Sequence, residues 1–293
     1  MRFTGTYTAL ITPFLNGKLD VAAYESLIER QIAAGIDGIV PVGTTGESPT
    51  LDTKEHIEVI RLAVEFARGR VEVIAGTGAN ATQEAIELTQ EAEQLGATGS
   101  LQVCPYYNKP SQEGLYQHYK AVANSTSLPI MLYSVPGRSV VEIGVETAAR
   151  LAVDCPNIVA IKEAGGSVDR VNQLMQVLPE DCSIICGDDP LTLPFIACGA
   201  VGLVSVASNL IPDVMAKLVR ACLNGSFDEA LALQSRYYPL FRALMTWDVN
   251  PVPIKTAVAI AGHCTNEFRL PLVPMSSVME EKLGELLKEF DLV

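Results

Sequence analysis

Ile39-Val40-Pro41-Val42-Gly43-Thr44-Thr45-Gly46-Glu47, followed by Asp52-Thr53-Lys54-Glu55-His56-Ile57, reads as one complete structural unit. A short apolar run ends in a glycine-bounded loop, and a helix start follows. Asp52 and Glu55 have the spacing of a capping box, Asp52 serving the first amides and Glu55 reaching back. Beyond them Ile57, Ile60, Val64 and Ala67 fall on one helical face. Strand, loop, helix is the order that lays one strand parallel to the next.

The unit recurs. Further strand-like runs are Tyr7–Ile11, Val71–Ala75, Leu101–Cys104, Ile130–Tyr133, Ile158–Ile161, Ser183–Cys186 and Leu203–Val206. Their near-continuous apolarity suits parallel strands covered on both faces. Ala85, Leu88, Ala92 and Leu95 repeat the helical face, and Gly35 and Gly96 stand where helix C-caps are expected. With Ile39–Val42 the count is eight, which predicts an α/β chain folded as a (β/α)8 TIM barrel. An open doubly wound sheet shares the alternation and is the other architecture it fits. After a last barrel helix at Pro212–Leu223 come helical stretches at about Phe227–Met245, Pro253–Ala261 and Ser276–Phe290. They predict a barrel over 1–225 and a small C-terminal helical subdomain over 226–293.

The chain has 293 residues, 48% hydrophobic and 19% charged, enough to bury a large core. Its net charge of −13, with no Lys/Arg run, argues against nucleic acid and anionic membranes as partners. The most apolar region, Phe195 to Ile211, is broken by Gly199, Gly202, Ser205, Ser208 and Asn209, as a helix end and a buried strand would be. Seven cysteines without a C-x-x-C, and a start Met1-Arg2-Phe3-Thr4-Gly5 without a signal-peptide pattern, set the expectation of a reduced, cytoplasmic protein. Three scattered histidines, His56, His118 and His263, lack metal spacing, so no metal is expected.

Barrel enzymes work at the loops after their strands. Lys162 ends the run Ile158-Val159-Ala160-Ile161. Apolar crowding penalises an ammonium, and enzymes exploit this to make lysine a nucleophile toward carbonyls. A solvated lysine at a strand end fits that context equally. Gly43-Thr44-Thr45-Gly46-Glu47 offers amides and hydroxyls for a carboxylate, or is an ordinary turn. Tyr133 at its strand end is a proton donor and acceptor or a core tyrosine; Arg138 is a carboxylate clamp or a surface ion pair. Gly76-Thr77-Gly78-Ala79-Asn80-Ala81 fits a dinucleotide fingerprint, yet in the third of eight units a tight turn accounts for it.

Taken in order, Gly43-Thr44-Thr45-Gly46-Glu47, Tyr133…Pro136…Arg138 and Ile161-Lys162-Glu163 resemble the pyruvate-dependent aldolase superfamily, from Phe3-Thr4-Gly5 to Arg269-Leu270-Pro271. Within it, Pro105-Tyr106-Tyr107-Asn108-Lys109-Pro110, Gly76-Thr77-Gly78-Ala79-Asn80 and Gly187-Asp188-Asp189 resemble the dihydrodipicolinate synthase family. The resemblance implies that Lys162 forms a Schiff base with pyruvate and that Thr44 and Thr45 hold its carboxylate, with the backbone near Val204. It makes Tyr133 the general acid/base, in a relay with Thr44 and with Tyr107 from a neighbouring subunit. Arg138 would bind the carboxylate of aspartate semialdehyde. No cofactor is implied, since the lysine itself provides the electron sink.

The resemblance also implies a homotetramer made of two tight dimers, and L-lysine as a feedback inhibitor held by Ser48, His56, Asn80, Glu84 and Tyr106. Pro49 and Thr53 depart from the family's feedback-sensitive pattern, where Ala and His are common. The stretch Ser134-Val135-Pro136-Gly137-Arg138-Ser139 departs from the family's commoner form, which has Asn first and Ser or Thr flanking the Arg, while Tyr133, Pro136 and Arg138 are kept. Two other functions fit the same pocket, the first of them sharing Lys162 and Tyr133. One is a Schiff-base aldolase cleaving N-acetylneuraminate or a 2-keto-3-deoxy acid, against which Arg138 and Tyr107 argue. The other is a non-catalytic sensor of pyruvate or lysine, which would not need the lysine–tyrosine pair.

Overall fold

The computed structural model describes residues 3–293; the first two residues of the start Met1-Arg2-Phe3 lie outside them. Among the described residues eight parallel strands close into a barrel in chain order. They are β1 (Gly5–Ala9), β2 (Gly38–Val40), β3 (Glu72–Gly76), β4 (Gly99–Val103), β5 (Ile130–Ser134), β6 (Ile158–Glu163), β7 (Ser183–Cys186) and β8 (Gly202–Ser205). β8 pairs back to β1 through Tyr7 and Val204, which leaves the eight-stranded sheet without an edge. The open sheet is thereby excluded.

The helices between are α1 (Val21–Ala33), α2 (Thr53–Ala67), α3 (Thr82–Gln94), α4 (Gln112–Ala123), α5 (Val145–Asp154), α6 (Val168–Val177), α7 (Thr192–Ala197) and α8 (Pro212–Leu223). A two-stranded ribbon, Phe14–Leu15 with Lys18–Leu19, precedes α1. Three helices follow the barrel: α9 (Phe227–Thr246), α10 (Val252–Ile260) and α11 (Ser277–Glu289).

Local chemistry accounts for the helix ends. Asp52 caps α2, its carboxylate accepting from the Glu55 N–H at 2.9 Å. The Glu55 carboxylate is held first by Arg269, and the Asp52 backbone N–H also lowers its pKa, so the capping box is present with a further tie. Gly35 (φ 75°) and Gly96 (φ 90°) follow α1 and α3 in the left-handed conformation a C-cap asks for.

Strand alternation splits the core in two. Odd positions of β1 and β5 and even positions of β6 point inward. There Tyr7, Ile74, Leu101, Met131, Ala160 and Val204 fill the barrel. The opposite faces pack under the helices in the larger cluster, which includes Ile39, Leu132, Ile161 and Leu203. This parity matters at the upper end, because Tyr133 continues from Met131 and Lys162 continues from Ala160. Both side chains must therefore enter the barrel mouth.

The glycines of the fingerprint look-alike have a packing role. A Cβ on Gly76 would lie 2.5 Å from Val42 O, and one on Gly78 would lie 2.3 Å from Val103 N. They let two neighbouring segments pass at backbone contact. All seven cysteines are free thiols. No helix among the described residues is long and apolar enough to cross a membrane.

Candidate active site

Tyr133 and Lys162 are register partners on β5 and β6. The Lys162 Nζ stands 4.1 Å from the centre of the Tyr133 ring, a cation–π geometry. Lys162 is only 6% exposed, and its amine makes no hydrogen bond or ion pair among the described residues. A buried amine left in that state costs stability and is available for chemistry. The next residue, Glu163, points the other way and braces the strand end. Its Oε2 accepts from Arg170 Nε at 2.7 Å and its Oε1 from Gly165 N at 2.6 Å. Burial still pushes the Glu163 carboxyl up, against the opposing pull of Arg170.

Above Lys162 is a deep chamber of about 90 Å³, lined by Thr44, Thr45, Tyr133, Arg138, Lys162 and Asp188 among others. It adjoins a wider outer chamber of about 220 Å³ that shares Thr44, Tyr133 and Arg138 and adds Ser48 and Tyr106. Five expected site residues from three separate strand ends thus face one cavity. Arg138 is anchored by Nη2 donating to Asn250 O at 3.0 Å. Thr45 is anchored by its Oγ1 accepting from Asn250 Nδ2 at 3.1 Å.

Gly187, after β7, is part of the same construction. A Cβ there would sit 3.0 Å from Lys162 Cε and 2.8 Å from Ala164 Cβ, so any side chain would press on the lysine stem. Asp189 ties the loops after β7 and β8 together. Its buried Oδ2 accepts from Val206 N at 3.0 Å and Ala207 N at 2.9 Å, and desolvation pushes its carboxyl up to about 6.

Other expected residues fall elsewhere. Val204 lies in the barrel's inner core, and Val206 is the residue after β8 that lines the deep chamber. Tyr107 is 90% exposed with a left-handed φ of 74°, and it lines neither chamber. Ser48 and Tyr106 line the outer chamber; His56 is buried behind Ser48, Nδ1 at 3.5 Å from Ser48 Oγ and Nε2 at 2.9 Å from Gly76 O. Desolvation lowers the His56 pKa. Asn80 donates to Tyr106 O at 3.3 Å. The Tyr106 phenol is pushed up by burial first and by the nearby Glu84 charge second. The five positions therefore form one neighbourhood.

Sequence reasoning missed Asp188, Asn250 and Met245, all of which line the deep chamber. Asp188 Oδ1 and Asn250 Oδ1 are buried without a hydrogen-bond partner, two unspent acceptors near Lys162 and Arg138. Desolvation raises the Asp188 pKa, against the charges of Arg242 and Lys162. The triplet Gly187-Asp188-Asp189 was visible in the sequence; Met245 and Asn250 come from the C-terminal segment, where no local pattern marked them. No group of three or more His, Cys, Asp or Glu side chains among the described residues is arranged to hold a metal.

Comparison with known proteins agrees with this geometry. The sequence profile of the Dihydrodipicolinate synthetase family matches residues 2–290. A 4-hydroxy-tetrahydrodipicolinate synthase of Persephonella marina is 50% identical over 292 residues, 99% of each chain. The crystal structure of dihydrodipicolinate synthase from Aquifex aeolicus superposes with a TM-score of 0.98 at 49% identity, covering 99% of both chains. A dihydrodipicolinate synthase from Cyanidioschyzon merolae, solved with lysine bound, superposes with a TM-score of 0.96 at 40% identity and 99% coverage of both chains.

Proposed function

The chain belongs to the dihydrodipicolinate synthetase family, and we propose that Lys162 is the amine through which it works. The protein is a Schiff-base-forming lyase that condenses pyruvate with L-aspartate 4-semialdehyde to 4-hydroxy-tetrahydrodipicolinate, in lysine and diaminopimelate biosynthesis. The observation that carries the role of Lys162 is its buried, unpaired amine against the Tyr133 ring, at the floor of a chamber that also holds Thr44, Thr45 and Arg138.

The chemistry follows from those groups. The Lys162 amine adds to the pyruvate carbonyl and one water leaves, giving an iminium. Thr44 and Thr45 hold the carboxylate by hydroxyl and backbone N–H groups. The iminium acidifies the pyruvate methyl; Tyr133, in a relay with Thr44 and a neighbouring subunit's Tyr107, takes the proton and leaves an enamine. The enamine carbon attacks the aldehyde, and the relay returns a proton to the new alkoxide. The semialdehyde's amine then adds to the iminium carbon and expels Lys162, closing the ring. Arg138 receives the semialdehyde carboxylate. The unpartnered oxygens of Asp188 and Asn250 suit its ammonium. A sugar acid, with one charge and many hydroxyls, would not use that pair of opposite charges. The end of β8 and the residue after it, Val204–Val206, offer backbone to the pyruvate end.

The test is consumption of L-aspartate semialdehyde in the presence of pyruvate, with cleavage of N-acetylneuraminate and a 2-keto-3-deoxy acid run in parallel. Turnover that needs both small substrates supports the synthase chemistry. Sugar-acid cleavage without condensation would keep Lys162 and overturn the role of Arg138.

Three finer points belong to the same proposal. L-Lysine is a feedback inhibitor bound near Ser48, His56, Asn80, Glu84 and Tyr106; the outer chamber beside Ser48 and Tyr106 supports this. Absence of inhibition at millimolar lysine would sink it. The working form is a homotetramer of two tight dimers in the cytoplasm, supported by Tyr107, an aromatic ring standing in solvent on a left-handed backbone. The chain divides into a catalytic barrel over 1–225 and a helical subdomain over 226–293, which lends Met245 and Asn250 to the deep chamber.

A further inference from the structure

The most deeply buried ion pair among the described residues has no part in that chemistry. Lys255, on α10, is fully buried, and its Nζ lies 2.6 Å from Oε1 of the equally buried Glu47. Phe14 and Phe268 cover the ammonium, their ring centres 4.1 Å and 5.0 Å away. The other carboxylate oxygen of Glu47 accepts from Arg269 N at 3.3 Å. The Arg269 guanidinium lies over Phe14 at 4.3 Å and pairs with Glu55 at the start of α2.

Glu47 is the last residue of the loop that carries Thr44 and Thr45. It holds a left-handed backbone, φ 57° and ψ 32°, which a residue with a side chain keeps only when its surroundings impose it. Its N–H donates to Thr44 O at 3.1 Å, so any rotation of Glu47 is transmitted to Thr44. Thr12 Oγ1 donates to Gly46 O at 2.7 Å, and a Cβ on Gly46 would meet Leu10 O and Val42 N at 3.0 Å, so the turn has no slack beneath it. At the other threonine, Asn250 Nδ2 donates to Thr45 Oγ1. Both threonines are thus tied, directly or through one residue, to the segment after the barrel. A buried ion pair stabilises a fold no better than well-packed apolar groups do. What this pair supplies is a fixed direction for the Glu47 side chain and hence for the turn.

We propose that Glu47 and Lys255 are positioning residues for the pyruvate-carboxylate pocket, acting through the backbone of the Gly43–Glu47 turn on the aim of Thr44 and Thr45. The proposal rests on pyruvate being the substrate held there.

Removing one charge alone strands the other in the core, so the informative variant removes both. Glu47→Gln/Lys255→Met conserves volume and leaves no buried charge. The expected result is a cooperatively folded protein whose KM for pyruvate rises, and whose borohydride-trapped lysine–pyruvate adduct forms more slowly, each on the order of ten- to a hundredfold. KM for L-aspartate semialdehyde stays as it was. Glu47→Gln alone is the second variant, because Lys255 can relieve its unpaired charge by releasing a proton; it should show the same signature. Pyruvate kinetics within twofold of the parent in either folded variant overturns the proposal. So does failure of both variants to fold, which would make the pair a stability element. A parent protein that traps no pyruvate would instead defeat the function proposed above and leave the turn geometry untouched.

Discussion

Among the described residues two lysines are buried, and they lie in opposite electrostatic situations. Lys255 has a carboxylate at 2.6 Å, two aromatic rings over it and no exposure. Lys162 has one aromatic ring at 4.1 Å, no carboxylate in contact, and an open chamber above it. The first arrangement fixes an ammonium in place and makes it inert. The second leaves a lone amine facing a space the size of a small keto acid. Burial alone therefore does not set a lysine's role: the proposed nucleophile is the buried lysine that lacks an ion-pair partner in contact.

That contrast can be broken in several ways. Lys162→Ala should abolish borohydride trapping of pyruvate and lower turnover by roughly 10⁴–10⁶-fold, in a protein that still folds. Turnover within a few-fold of the parent would show that the reactive amine is elsewhere. Tyr133→Phe keeps the ring that Lys162 faces and removes only the phenol. The expected loss is about 10²–10⁴ in kcat with unchanged melting, the usual worth of a positioned acid/base. Near-parental kcat would remove Tyr133 from proton transfer.

The next comparison concerns stability. Lys255→Met should cost about 3–5 kcal/mol in chemical denaturation, because Glu47 is left as an unpaired buried charge. Lys162→Met breaks no hydrogen bond or ion pair and leaves Arg242 as the charge acting on Asp188, and should leave the melting temperature nearly unchanged or raise it. Equal destabilisation by the two substitutions would erase the distinction drawn here.

A third buried base gives the smallest effect. His118 has an orphaned Nε2, and burial lowers its imidazole to about 4, so the folded protein holds it neutral. Between about pH 6.5 and 4 the unfolded chain binds a proton that the folded chain refuses. Stability should therefore fall as the pH drops through that window, by up to roughly 3 kcal/mol, and level off below it. His118→Gln should flatten this part of a denaturation-against-pH curve. An unchanged slope would mean that His118 is already protonated in the fold.

The barrel was legible because its signals are local. Ser183–Cys186 and Pro212–Leu223 are strand and helix with the bounds that apolar runs and a proline start predict. β1 runs over Gly5–Ala9 and not to Ile11, since Leu10 and Ile11 are buried as loop residues and burial alone looks like a strand in sequence. Lys162 and Tyr133 stood at predicted strand ends where an ordinary reading fitted them too, and the family resemblance singled them out; strand parity in the fold aims both inward. Asn250 and the Lys255–Glu47 pair were not, because their partners lie 205 and 208 residues away and nothing in a local pattern encodes such a distance. Gly187 was visible within the Gly187-Asp188-Asp189 motif, but the reason for a glycine there was not: it leaves room for the stem of Lys162.

The same separation has a consequence in time. Chains leave the ribosome from the N-terminus at about 5–20 residues per second. Lys255 is synthesised 208 residues after Glu47, some 10–40 seconds later at that pace. The eighth strand, Gly202–Ser205, is already made by then, so a nascent barrel has every strand while its dithreonine turn still lacks its clasp. On the positioning role proposed for Glu47 and Lys255, the amine of Lys162 can be in place during that interval while the turn is not yet aimed. That role would have competence conferred near the end of translation, by the segment that contributes no strand.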